Sequence, residues 1–360
     1  MVDKKSEIVL SEFQDGNFRR LTELTKKTYP GREISDPEYL KWEYLENPDG
    51  KALIFVAAQE AACVSQYILL PRKFIVNGVQ QSGSLSVNTL TDPAFRGKNL
   101  FPQLAEKTYD AAANRGIAFT VGFPNPLSSP VFNTKLRFHS FGRIPFYIKP
   151  LRPIHSALTY FFKKGKKRGE ETPLAFDPYG RSKTSAVSLF ELETDKNKFE
   201  EFIAQFHADK MCCTKRSFEF FKWRYCVVPM RTYQIYKVET ENHIQAIAVV
   251  RSATLFGLKA LIVVDLLNIS SAPSIQAAEN LLQWLTQQSA KRKMDLVAIA
   301  RQDTGKGKIS MGKLSFFRIP DSLLPQPLEF IFRTHSPNVK LDVATDIRQW
   351  YLSFGDGDIF

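Results

Sequence analysis

The sequence predicts a mixed α/β chain of the α+β class, built from two successive similar units, each a mostly antiparallel mixed sheet flanked by helices. Three observations carry this. The segment Glu38-Tyr-Leu-Lys-Trp-Glu-Tyr-Leu-Glu-Asn-Pro48 returns 181 positions later as Glu219-Phe-Phe-Lys-Trp-Arg-Tyr-Cys-Val-Val-Pro229, identical at five of eleven positions. Ser140-Phe-Gly-Arg-Ile-Pro145 returns 175 positions later as Ser315-Phe-Phe-Arg-Ile-Pro320. Two matches in one order at nearly one offset imply duplication of whole units. Each half also orders its apolar patterns alike, with hairpin strands first and a strand-helix-strand crossover after them. The 360 residues are therefore expected to divide into a unit over 1–155, a linker over 156–185 and a second unit over 186–360, at about 150 residues per domain.

In the first unit, Phe18, Leu21, Leu24 and Thr28 stand at helical spacing within Asn17 to Thr28, and Pro30 stops the helix. Asp36-Pro37-Glu38 has the cap and first-turn chemistry of a second helix carrying Tyr39, Leu40 and Trp42. Leu53 to Ala58, Val64 to Leu70 and Phe74 to Val76 read as strands, and Asn77-Gly78 suits a tight hairpin turn. Ser84 to Thr91 is a strand, and Leu100 to Arg115 a helix with Leu100, Leu104, Tyr109 and Ala112 as its buried stripe. Ile117 to Phe123 is an apolar strand, Pro130 to Leu136 a short helix, and Phe141 to Ile148 a last strand.

The second unit repeats this coarsely. Ile235 to Val238, Gln245 to Arg251 and Ala260 to Leu267 are strands, with Phe256-Gly257 at the hairpin. Ser274 to Arg292 is an amphipathic helix on Ile275, Leu281, Leu282 and Leu285, and Leu296 to Ala300 a strand. The expected linker holds Lys163-Lys-Gly-Lys-Lys-Arg-Gly169, then Pro173, Pro178 and Gly180, the composition of an exposed loop. Tyr160 to Phe162 directly before it leave a weak contact of Lys163 to Arg168 with an anionic membrane surface as the other use.

Hydrophobic residues at 44% and charged residues at 24% exclude a disordered chain. No apolar run approaches the roughly 20 residues that span a bilayer. Met1 to Glu7 is too polar for a secretory signal, so a cytoplasmic location is expected. Lys and Arg number 49 against 37 Asp and Glu, and the net charge of +12 favours an anionic ligand, whether phosphorylated cofactor, nucleic acid or lipid. No nucleic-acid motif is present, and no nucleic-acid partner is expected. Cys63, Cys212, Cys213 and Cys226 lack Cys-x-x-Cys spacing and read as reduced packing residues, with no metal site.

Chemistry concentrates at Asp92-Pro-Ala-Phe-Arg-Gly-Lys-Asn-Leu-Phe101, where a strand ends and a helix begins. The N–H groups of such a turn converge with the positive end of the helix dipole into a cradle for phosphate. Arg96 and Lys98 add full charges, and Gly97 permits close backbone approach. A nucleotide P-loop is excluded, because Gly-x-x-x-x-Gly-Lys-Ser/Thr is absent.

Arg96-Gly-Lys-Asn-Leu-Phe101 resembles the Arg/Gln-x-x-Gly-x-Gly/Ala loop of the GCN5-related N-acetyltransferase (GNAT) superfamily, which holds the pyrophosphate of acetyl-coenzyme A. Gly122-Phe-Pro-Asn125, Ser129, Phe132 and Leu136-Arg-Phe138 resemble its later strand, helix and closing segment. With a degenerate second unit, the chain looks most like the tandem acetyltransferase-type proteins of bacterial polysaccharide and surface-glycan loci. The resemblance implies an enzyme that transfers acetyl from acetyl-coenzyme A to a primary amine by direct attack in a ternary complex. The acceptor would be an amino sugar or another small amine. It further implies cofactor contacts from Leu90, Thr91, Arg96, Gly97, Lys98, Asn99, Leu100, Phe101, Asn125, Ser129 and Phe132, with no metal.

The sequence departs from the pattern in places. Asn99 stands where Gly is usual, Phe101 replaces a small residue, and Arg137 replaces a Gly. Phe132 and Asn133 occupy the neighbourhood where the superfamily often has a tyrosine acid. Ser271-Ala-Pro-Ser-Ile-Gln276 offers the second unit no charge and no glycine, so one cofactor site is expected. His139 and the tail residues Asp356, Asp358 and Phe360, the last through its terminal carboxylate, are the candidates for a proton acceptor; the alternatives are a structural His and a docked or disordered tail. A catalytically idle binding protein of the same fold, and a basic nucleic-acid or membrane-surface binder, are the competing readings.

Overall fold

The computed structural model describes residues 7–14, 18–153, 176–182, 185–255, 257–304, 307–324, 326–335 and 345–357. Two mixed sheets stand side by side. The first contains β1 (Ile8–Glu12), β2 (Leu53–Gln59), β3 (Ala62–Val76), β4 (Val79–Thr91), β5 (Phe119–Gly122) and β6 (His139–Arg143). The second contains β7 (Phe146–Pro150), β8 (Tyr179–Ser182), β9 (Ser185–Leu189), β11 (Gln234–Thr240), β12 (His243–Leu255), β13 (Leu258–Asn268), β14 (Leu296–Gln302), β15 (Phe317–Arg318) and β17 (Leu352–Ser353). Two strands from the second half of the chain, β10 (Cys212–Thr214) and β16 (Glu329–Thr334), join the first sheet. The first sheet runs β1-β2-β3-β4-β5-β16-β6 with β10 beside β3. The second runs β15-β7-β14-β13-β12-β11-β9-β8 with β17 beside β14. Neighbouring strands are antiparallel except β4 with β5 and β13 with β14.

The halves exchange strands. β7 leaves its own half and lies between β14 and β15, with Tyr147 opposite Ile299 and Ile148 opposite Phe317. β16 makes the mirror move and lies between β5 and β6, with Phe332 opposite both Val121 and His139. The sheets therefore do not divide strand for strand at the expected linker, and the single strand expected over Phe141 to Ile148 is two strands in two sheets. Pro145, which has no N–H to give to a ladder, stands at the break between the two. The repeated Ser-Phe-x-Arg-Ile-Pro motif marks the crossing in each half.

Trp42 and Trp223, equivalent in the longer repeat, stack at 4.6 Å with rings 16° from parallel. Each indole N–H donates to the other's backbone carbonyl, at 3.1 and 3.0 Å. This reciprocal pair lies in the central core, with Phe74, Phe119, Phe332 and Trp350 among its other members.

Local expectations are met at several points. Asp36 caps α2 (Pro37–Leu45) by accepting from the amides of Glu38 and Tyr39. Asn77 and Gly78 take positive φ angles of 52° and 73° at the β3–β4 turn. α3 (Leu100–Asn114) buries Leu100, Leu104, Tyr109 and Ala112, and it packs on β2 and β3. α1 (Arg19–Thr28), α4 (Ser129–Lys135), α6 (Phe218–Phe221) and α7 (Ala272–Lys291) complete the scaffold with α5 (Lys196–Asp209). α5, buried through Phe199, Phe202 and Phe206, was not anticipated. The strands expected over Val64 to Leu70 and Phe74 to Val76 are one, β3. Pro71 is tolerated there because its missing amide faces the gap between β2 and β10, where Asn47 donates to its carbonyl at 2.9 Å.

The four cysteines are free, and all but Cys226 are buried. No helix among the described residues is long and apolar enough to cross a membrane. Nor do the described residues gather three or more His, Cys, Asp or Glu side chains able to hold a metal ion. The basic run Lys163 to Arg168 lies outside the described residues.

Candidate active site

β4 and β5 pair only from Gly83 with Phe119 to Ser86 with Gly122. β5 then ends, β4 continues to Thr91, and the sheet forks. A bulge accentuates the opening: Asn88 and Thr89 together oppose Tyr67, between the pairs Gln66–Leu90 and Ile68–Val87. Asn88 sits in the left-handed region, at φ 48°. Its carbonyl accepts from Gln66 Nε2 at 2.9 Å. Its side-chain amide donates to Glu43 Oε2 at 2.7 Å and to Tyr44 at 2.8 Å.

Past the fork lies the turn the sequence singled out. Asp92 opens it by accepting from the Ala94 amide at 3.0 Å and from Lys27 at 3.2 Å. These contacts, the amide first, hold its carboxyl below the usual carboxylate range. Gly97 at φ 81° and Asn99 at φ 56° then turn the chain into α3. Arg96 to Asn99 are exposed. A Cβ on Gly97 would meet nothing within 4 Å, so the concavity is open. Phe101 turns its ring into the protein, 5.6 Å from Tyr67 and 5.3 Å from Phe132, and leaves the turn uncrowded.

Two cavities flank the fork. The first, of about 460 Å³, is lined by Leu90, Thr91, Arg96, Gly97, Asn99, Leu100, Phe101 and Asn125 of the expected set. The second, of about 270 Å³, shares Tyr29, Thr89, Leu90, Asn125 and Ser128 with it, so the two adjoin at the fork. Phe132 lines the second cavity. Lys98 instead lies over the Phe95 ring at 4.6 Å. Ser129 donates to Glu329 at 2.7 Å and lines neither cavity.

Of the expected proton acceptors, the two among the described residues, His139 and Asp356, line neither cavity. His139 is exposed on β6 and lines neither cavity. Asp356 is buried on Arg216, because its carboxylate is consumed in a structural ion pair. Asp358 and Phe360 lie outside the described residues. What the second cavity does contain is polar: Arg32, Glu33, Tyr39, Glu43, Asn88 and Arg231. Sequence reading missed Glu43 and Arg231. One signal for Glu43 was available, since the repeat places Arg224 at the equivalent position, a charge reversal inside an otherwise similar segment.

The second half has the same fork, and its own chain fills it. β13 and β14 pair from Ala260 with Leu296 to Val263 with Ile299, and β17 then adds to β14 at Arg301 and Gln302. In the opening, Asp265 accepts from Arg216 Nε at 2.7 Å and from the Tyr351 hydroxyl at 2.7 Å. Arg301 donates to the Leu266 carbonyl and to Asn268. Ahead of α7, Ser271 supplies an uncharged cap.

Residues 10–136 match the model of the acetyltransferase (GNAT) domain. In this stretch the chain is similar to a GNAT domain. No curated protein matches the chain. Among solved structures, the chain is similar to a GCN5-related N-acetyltransferase from Anabaena variabilis, at TM-score 0.61 and 13% identity over 92% of this chain and 73% of that one. An Enterococcus faecalis protein of unknown function, titled a probable N-acyltransferase, aligns at TM-score 0.63 and 9% identity over 91% and 73%. Saccharomyces cerevisiae N-myristoyltransferase with bound myristoyl-CoA aligns at 0.60 and 14% over 92% and 81%. At these identities the likeness is one of fold. It extends beyond the GNAT-like stretch to the second sheet, since each alignment covers more than nine-tenths of the chain.

Proposed function

We propose that the protein is an acyl-coenzyme A-dependent N-acyltransferase that transfers acetyl from acetyl-coenzyme A to the primary amine of a small acceptor, an amino sugar or a similar compound. The observation that carries this is an exposed turn at a helix N-terminus, with Gly97 and Asn99 at positive φ, whose cavity adjoins a second, polar cavity at a forked sheet. The open concavity at Gly97 and the inward Phe101 ring fit a diphosphate at that turn, with Arg96 beside it and the pantetheine arm along Leu90, Thr91 and Asn125.

When bound, acetyl-coenzyme A supplies a thioester whose carbonyl carbon bonds to the amine nitrogen as the carbon–sulfur bond breaks. The amine must first lose a proton, because an ammonium has no lone pair. Glu43, 3% exposed in the acceptor cavity and oriented by Asn88, is the chain's carboxylate for that proton, directly or through one water. Backbone N–H groups of the β4 bulge meet the carbonyl oxygen. α4 offers Phe132 where an acid could stand. A thiol of ordinary pKa about 8.5 can leave as its thiolate without one.

Titration with acetyl-coenzyme A and a thiol-release assay over an amine panel test this. Wild type should bind, and Arg96→Ala with Lys98→Ala should weaken binding. Glu43→Gln should leave acetyl-coenzyme A binding intact and lower kcat about 100-fold or more. No binding at millimolar ligand would remove the reading, and binding without thiol release across the panel would leave an idle fold.

A further inference from the structure

Arg231 belongs to the second half of the chain, yet its side chain forms part of the acceptor cavity of the first. It follows Met230, whose φ of 62° turns the backbone there. The side chain is 5% exposed, and Nε donates to Glu33 Oε1 at 3.2 Å. Its guanidinium carbon lies 5.5 Å from the Tyr39 ring centre. The Tyr233 side chain also bonds to this guanidinium, so what Arg231 offers the cavity is chiefly its charge. Arg32 lines the same cavity and adds a second cation.

The fork side of the cavity carries Glu43, held by Asn88, and the cavity's other charged residues are Arg32, Glu33 and Arg231. At about 270 Å³ it is smaller than the usual drug-sized pocket, which sets a small acceptor. We propose that the acceptor bears an anionic group, carboxylate or phosphate, next to its amine, and that Arg231, with Arg32, receives that group while the amine faces Glu43. Guanidinium suits either anion, because its parallel N–H groups match two oxygens at once. The second half of the chain then supplies acceptor recognition to a site whose cofactor turn lies in the first. This inference rests on the N-acyltransferase reading.

The test compares matched amines by thiol release: 2-aminoethanol, β-alanine and O-phosphoethanolamine, together with glucosamine and glucosamine 6-phosphate. The anionic members should exceed the neutral ones in kcat/KM by about 10-fold or more, as expected for a charge-assisted bond. A higher value for β-alanine assigns a carboxylate, and one for the phosphate esters assigns a phosphate. Arg231→Gln should abolish the preference through KM, with acetyl-coenzyme A binding unchanged. Glu33→Gln should sharpen it, since the neutral amide still accepts from Nε but no longer offsets the guanidinium charge. If Arg231→Gln does not fold, Arg231→Lys, which keeps the charge but not the paired N–H groups, should lower the preference without reversing it, and an unchanged preference would overturn the inference. Where amines do not turn over, direct titration of β-alanine and O-phosphoethanolamine onto coenzyme A-loaded protein reads the same preference. If acetyl-coenzyme A fails to bind, the parent reading falls and this one with it. If it binds and neutral amines serve equally, or the preference survives Arg231→Gln, this inference alone is overturned.

Discussion

Replacing Asp356 with asparagine should detach the tail that closes the second fork. Asp356 Oδ1 and Oδ2 accept from Arg216 Nη2 at 3.1 and 3.0 Å, and Oδ2 also accepts from the Ser353 amide at 2.7 Å. Arg216 is 1% exposed, so its charge has no recourse to water. Asparagine keeps the volume, and its oxygen in the place of Oδ2 can still accept from both donors, but the negative charge is lost and its NH₂ in the place of Oδ1 faces the Arg216 guanidinium. Removing one partner of a buried ion pair costs about 3–5 kcal/mol. Asp265 stays on the same guanidinium at 2.7 Å, which places the cost at the lower end, about 3 kcal/mol. That is a large share of the roughly 5–15 kcal/mol that holds a folded chain together. Urea unfolding reads it as a lower midpoint at an unchanged slope. The second cavity should respond as well, because Gly357 lies against the Phe123 ring that lines it. A loss below about 1 kcal/mol, the scale of an exposed pair, would refute the claim that this ion pair seals the fork.

Two further outcomes follow from the core. Burial, with Arg216 and Lys215 nearby, pushes His207 down to about 4, and burial with Arg333 does the same to His335. The unfolded chain protonates histidine near 6.5, so it binds more protons between pH 6.5 and 4. Stability is therefore full above that window and falls on acidification through it, by on the order of 3 kcal/mol per ring. Urea midpoints measured at pH 7, 5.5 and 4.5 should decline in that order, and His335→Asn should flatten the decline; a flat wild-type profile would count against the buried neutral rings. Trp223→Phe removes the indole bond to the Trp42 carbonyl and should cost about 1–3 kcal/mol. Trp42→Phe should cost the same by symmetry, and the double variant less than the sum, which a double-mutant cycle in urea checks and strict additivity would contradict.

Much of the domain's local geometry is readable from side-chain chemistry within a few residues. Asp36 before Pro37 caps a helix because its carboxylate meets free amides, and Asn77-Gly78 turns a hairpin because both tolerate positive φ. The Gly97 to Asn99 turn was legible on the same grounds. The stripe on α3 followed from helical period, and the aromatic repeat singled out Trp42 and Trp223, which stack on one another. α5 was equally open to this reasoning, since Phe199, Phe202 and Phe206 stand at helical spacing.

Choice of partner is a different kind of information. The residues of β7 specify an extended strand, but nothing within them names β14 rather than β5 as neighbour. That is decided by which packing closes both sheets over one shared core, a sum over contacts far apart in sequence. Glu43 and Arg231 meet at one cavity for the same reason, and Asp356 is drawn to Arg216 by two buried charges that no local pattern pairs. Sequence thus determined the turn, the caps and the repeat, where the cause is short-ranged. Tertiary packing alone decided the strand exchange, the composition of the second cavity and the closure of the second fork, where long-range burial and charge pairing are the cause.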